Sequence, residues 1–134
     1  MNKIIKKYKH YILPICVIFI LSLSRIIPHP PNFTPILAVG IFSGFYFKNF
    51  IISVFIVISS MFVGDLYLGF HNTMFFTYVS LFIAVLLGIL IKYFKFKEII
   101  FSGLASSASF FIITNLGVWG LSGMYEKNLY GLIQ

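Results

Sequence analysis

Five apolar runs, each as long as a membrane-crossing helix or slightly shorter, are separated along the chain by short polar breaks. They cover residues 11–27, 35–47, 50–64, 73–91 and 99–121. A bilayer crossing takes about 20 mostly apolar residues in a helix, so the pattern predicts an all-α polytopic transmembrane helix bundle. The breaks are of different kinds. Pro28-His29-Pro30-Pro31-Asn32 cannot continue a helix. Lys48 and Asn49 end the second run, Asp65 closes the third, and Lys92, Lys95 and Lys97 follow the fourth. The second run is short for a full crossing, so it either begins earlier or is partly re-entrant. Residues 122–134 are more polar and read as a loop, yet Leu129-Tyr130-Gly131-Leu132-Ile133 resembles the start of another apolar run. The expectation is one transmembrane domain over 1–134 with about five spans present, truncated at its C-terminus, and six spans in the full-length protein.

Composition supports this reading. The chain is 60% hydrophobic and only 10% charged, with mean hydropathy +1.00, whereas a soluble domain carries roughly a quarter charged residues. A net charge of +7 raises the question of nucleic acid, but the cations sit in short clusters between apolar runs, as in loops that follow the positive-inside rule. With the N-terminus cytoplasmic, Lys3, Lys6, Lys7, Lys9, Lys48, Lys92, Lys95 and Lys97 fall inside, and Arg25 and Lys127 outside. That division of eight against two sets the expected orientation. The lysine-rich start resembles a signal peptide, but Arg25-Ile26-Ile27-Pro28 stands where small cleavage residues would be needed, so the first run is read as an uncleaved span. Cys16, the sole cysteine, has no internal disulfide partner.

On this topology the unusual polar residues collect on the outer side: Arg25, His29, Asn32, Thr34, Asp65, His71, Asn72, Asn115 and Trp119. Ionisable groups in or beside membrane spans are costly and usually face a cavity or a partner. Arg25 and Asp65 can pair with each other or grip a polar ligand. Each residue also has a plainer role. Arg25 can snorkel to the headgroups, Asp65 can cap a helix, and Asn115 can bond a neighbouring helix. Trp119 can anchor at the interface, and His29 and His71 can be ordinary loop residues. Gly40 and Gly44 form a GxxxG spacing, which puts both on one helix face and lets another helix approach closely. Gly103, Ala105, Ser106, Ser107, Ala108 and Ser109 make a second small-residue surface.

Catalytic signatures are missing: the chain has no GxSxG and no HExxH. Gly64-Asp65 shares two residues with the GxGD of intramembrane aspartyl proteases, but Phe62 replaces the first glycine and there is no second membrane aspartate to share a proton. His29, His71 and Asp65 lack any local metal-ligand spacing. No enzyme activity, cofactor or metal is expected.

Arg25, the run from His29 through Asn32-Phe33-Thr34-Pro35, Gly40 with Gly44, Asp65, and Thr114-Asn115-Leu116-Gly117-Val118-Trp119 together resemble an uncharacterised family of small bacterial integral membrane proteins. That family is similar to the substrate-binding S components of energy-coupling-factor vitamin transporters. The resemblance covers about residues 25–134. It implies six helices with both termini cytoplasmic in the bacterial inner membrane, and capture of a vitamin or similar micronutrient at the outer side. It also implies partnership with a transmembrane coupling subunit and its ATPases, although Ser22 and Ser24 stand where S components carry an alanine-x-x-x-alanine face. Under this expectation Arg25 and Asp65 orient polar groups of the ligand, Asn32 and Asn115 hydrogen-bond it, and Trp119 stacks on a flat ring. The alternative is a non-catalytic membrane scaffold or assembly protein of the cell envelope; a membrane enzyme is a more distant third.

Overall fold

A computed structural model describes residues 2–24, 27, 35–93 and 95–133, without the side chains at 2–10, 13 and 22. Among the described residues there are six helices and no strand: α1 Asn2–Leu23, α2 Ile36–Phe47, α3 Phe50–Leu68, α4 Met74–Leu90, α5 Phe96–Leu121 and α6 Leu129–Ile133. Two of them, α3 and α5, are long and apolar enough to cross a membrane, while α2 and α4 are apolar but shorter.

Two helix boundaries differ from the sequence expectation. α1 begins at Asn2, so the lysine-rich segment is helical and continues the apolar run. α3 does not stop at Asp65 but runs one turn further to Leu68. It ends where Gly69 takes φ +92°, a conformation open to glycine, and donates its N–H to the Asp65 carbonyl at 2.9 Å. In the tail, otherwise read as a loop, the Leu129–Ile133 stretch read as the start of another apolar run forms a short helix, α6.

The turn between α2 and α3 has only two residues, and each caps a helix. Lys48 adopts the left-handed conformation, φ 51°, at the end of α2, and the Asn49 side chain accepts the Ile52 N–H at 3.1 Å to start α3. Tight connections therefore gather the end of α2, the start of α3, the end of α4 and the start of α5 at one end of the bundle. Stacking of Tyr11 on Phe47, with ring centroids 5.9 Å apart, brings α1 in antiparallel to α2. The part of α1 carrying positions 3, 6, 7 and 9 extends beyond Tyr11 at that same end. This is the lysine end.

The core is the contact of α2 with α4, flanked by α1 and α3. Gly40, Gly44 and Gly88 make it close. A Cβ on Gly40 would lie 3.0 Å from that of Ala84, one on Gly44 would fall on the Val85 carbonyl oxygen, and one on Gly88 would fall on that of Ile41. The sequence-predicted Gly40-x-x-x-Gly44 face is thus met by Ala84-x-x-x-Gly88, a small-residue pair of the same spacing on α4. α2 and α3 are further joined by a reciprocal bond: the Ser43 hydroxyl donates to the Ser53 carbonyl at 3.2 Å, and the Ser53 hydroxyl to the Ser43 carbonyl at 3.1 Å. Such interhelical bonds contribute about 0.6–2 kcal/mol each in an apolar medium.

Candidate functional site: a buried carboxylate between α3 and α4

Buried residues of α3 recur at Ser53, Ile56, Val57, Ser60, Met61, Gly64 and Asp65. This three-and-four spacing is one inward stripe of a helix, and Asp65 is its last member. Its side chain is 1% exposed, so it is a buried residue and not a boundary charge. Burying a carboxylate costs several kcal/mol unless it is hydrogen-bonded. Tyr78 of α4 meets this need, donating its hydroxyl to Asp65 Oδ2 at 2.6 Å. An acceptor of this kind, one turn from the end of α3 and with a phenol fixed against it, can hold a polar or cationic group that enters from the lysine-poor end. Tyr78 was not foreseen from sequence. It is one of eight tyrosines among 17 phenylalanines, and only the packing of α3 on α4 selects it.

The other expected site residues divide into two groups. Arg25 and Asn32, with His29 and Thr34, lie outside the described residues. Asn115 and Trp119 are described, and they do not join Asp65. Along α4, Phe76 packs on Gly117 of α5 while Tyr78 reaches Asp65 of α3. Two residues along a helix is a rotation of about 200°, so α3 and α5 flank α4 on opposite sides. Among the described residues α5 touches α4, α2 and α6, and does not touch α3.

Asn115 is exposed and donates its amide to the Phe111 carbonyl of its own helix at 2.8 Å. Trp119 holds the tail. Its indole N–H donates to the Glu126 carbonyl at 2.9 Å, and the Lys127 ammonium sits 5.4 Å from the ring centroid while donating to the carbonyls of Trp119 and Gly120. One face of the ring expected to stack on a ligand is therefore occupied by Lys127.

At the lysine end, charges close helix termini. The Lys48 ammonium donates to the carbonyls of Ile89, at 3.0 Å, and Ile91, capping α4. Glu98 Oε2 accepts the N–H groups of Lys92 and Tyr93 at 3.1 and 3.3 Å, holding the turn into α5. Among the described residues no three histidine, cysteine, aspartate or glutamate side chains gather as metal ligands would.

Comparison with curated proteins gives no match, and comparison with solved structures gives none either. A family description does match, over residues 5–134, nearly the whole chain: it is a family of unknown function, DUF6580, and this protein belongs to it.

Proposed function

We propose that the chain is a multi-pass membrane subunit that captures a small polar nutrient at its lysine-poor end, in the manner of the S components of energy-coupling-factor transporters. The membrane part of this reading is supported by the two long apolar helices, α3 and α5, by the apolar α2 and α4 beside them, and by the segregation of lysine to one end. That end faces the cytoplasm under the positive-inside rule. The capture part is carried by one observation, the Asp65 carboxylate buried on the inner stripe of α3 and bonded by Tyr78. An intramembrane ionisable group at a helix contact is a functional-site candidate by default.

Asp65 and Tyr78 form the anchor in this reading. Arg25 and Asn32 belong to the connection between α1 and α2, which begins and ends at the same end of the bundle, and supply further ligand contacts. Asn115 and Trp119, on the far flank of α4, drop out of the ligand set. The ligand is a vitamin-sized molecule with a group that donates to a carboxylate. A coupling subunit with ATPases would take it onward.

The test is native mass spectrometry of protein purified from its own membrane, to find a co-purifying small molecule, followed by Asp65→Asn and Tyr78→Phe. Losing a hydrogen bond to the charged group costs about 1.5–3 kcal/mol, one to two decades of affinity. Both variants should therefore lose the molecule while remaining folded. If both instead unfold more easily and the wild type carries no molecule, Asp65 and Tyr78 only staple α3 to α4. The remaining reading is then the envelope scaffold, which the broad apolar outer face of α5, with Phe101, Leu104 and Phe111 about 70% exposed, would serve.

A further inference from the structure

The turn from α4 into α5 carries a cation cluster beside an apolar groove. The groove, about 270 Å³, is floored by Leu87, Leu90, Phe101 and Ser102, with Lys92 and Glu98 at its mouth. Leu90 and Phe101 are 71% and 70% exposed, so the floor opens sideways and not into the core. Lys92, Lys95 and Lys97 are all exposed along six residues of chain. The one carboxylate among them, Glu98, bonds the backbone N–H groups of Lys92 and Tyr93 and no described lysine ammonium. Lys95 lies 5.2 Å from the centroid of the Tyr93 ring, itself 65% exposed.

Lys48, at the same end, differs from these three. Its ammonium is committed to the carbonyls that close α4, whereas Lys92, Lys95 and Lys97 make no hydrogen bond or ion pair through their ammonium groups with a described residue. An apolar trough edged by Lys92, with Tyr93, Lys95 and Lys97 exposed on the adjoining segment, matches a molecule with a hydrocarbon tail and an anionic head. In a bilayer, basic pockets between helices on the cytoplasmic side take anionic headgroups, and tyrosine sits at headgroup level.

We infer that the α4–α5 groove is a binding site for one anionic glycerophospholipid of the cytoplasmic leaflet. Its acyl chain lies along Leu87, Leu90 and Phe101, and its phosphate rests among Lys92, Lys95 and Lys97. Glu98 sets the geometry by holding the backbone of Lys92 and Tyr93 at the turn. The site is separate from Asp65, at the opposite end of the bundle. It rests on the membrane part of the proposed function but not on nutrient capture.

The test uses the full chain in mild detergent, exposed to equimolar phosphatidylglycerol and phosphatidylcholine with identical acyl chains, with retained lipid read by native mass spectrometry. The wild type should retain the anionic lipid over the zwitterionic one by about tenfold or more, given the several-fold attraction each surface lysine adds. The K92Q/K95Q/K97Q variant, with unchanged helical content, should fall to parity. Phe101→Ser, at an exposed position, should lower retention of both lipids, and glycerol phosphate without acyl chains should not be retained. Equal retention of the two lipids by the wild type, or a preference that survives loss of the three lysines, overturns the site. A chain that alkaline carbonate washes from membranes overturns the membrane reading instead, and the lipid site falls with it.

Discussion

α4 meets α2 through bare backbone and meets α5 through side chains. On the α2 side Gly44 and Gly88 leave no room for a Cβ, the atoms in the way being main-chain carbonyls that cannot step aside, and Gly40 leaves only a tight fit against the Ala84 side chain. On the α5 side the tight point is Gly117 against the ring of Phe76, a side chain that can turn, and a Cβ on Gly103 or Gly120 would meet nothing within 4 Å. The Gly40-x-x-x-Gly44 spacing therefore makes a close helix contact because the small pair Ala84 and Gly88 faces it. On the proposed membrane reading no hydrophobic force draws the helices together, and this van der Waals fit is what holds them. The α2–α4 contact is the closest backbone approach described between helices of the bundle.

The comparison breaks most easily at Gly44. Gly44→Leu should push α2 off α4 and cost about 3 kcal/mol, in the upper range for overpacking. Thermal unfolding in detergent should show a large drop, matched by Gly88→Leu. Stability within about 0.5 kcal/mol of wild type would mean the two helices are not in backbone contact.

A middle-sized effect is expected at Lys48, where two terms oppose each other. Lys48→Ala removes the cap on α4 and should cost about 1.5 kcal/mol, the lower end of the range for hydrogen bonds from a charged group, because Lys48 is exposed. Lys48→Gly removes the same bonds but relieves a left-handed residue, worth about 1 kcal/mol, so it should be the milder change. The order of the two melting temperatures checks this. The smallest effect belongs to Gly103, where Gly103→Ala should be neutral or add up to about 1 kcal/mol through helix propensity alone. A destabilising outcome would reveal a neighbour close to that face of α5.

The hydrophobic pattern located most helix ends to within a few residues. Lys48-Asn49 and the lysines after the fourth apolar run are strong breaks, and both proved to be helix caps or turns. Asp65 misled because a charge was read as a boundary. The apolar Leu66, Tyr67 and Leu68 that follow it carry the helix on to Gly69. The counterparts of Gly40 and Gly44 were legible in principle, since Ala84-x-x-x-Gly88 has the same spacing, but its small residues are diluted by Val85, Leu86 and Leu87. The grouping of Asp65 with Asn115 and Trp119 came from depth along the helices. Hydropathy gives that axial level well and says nothing of rotation about the axis, or of which helix stands between two others. Here α4 stands between, and that is a property of packing alone.

The brevity of α2 bears on how the protein is made. Its 12 residues rise only about 18 Å as a helix, well short of a hydrocarbon layer of about 30 Å, so on the proposed membrane reading α2 is poorly able to hold its place unaided. Its main support is α4, which the ribosome produces only after all of α3 has emerged. At about 5–20 residues per second the nascent chain spends on the order of seconds with α2 lacking its mate. Assembly of this bundle is therefore a question of timing as well as fit, with the glycine-lined seam closing only once the fourth helix arrives.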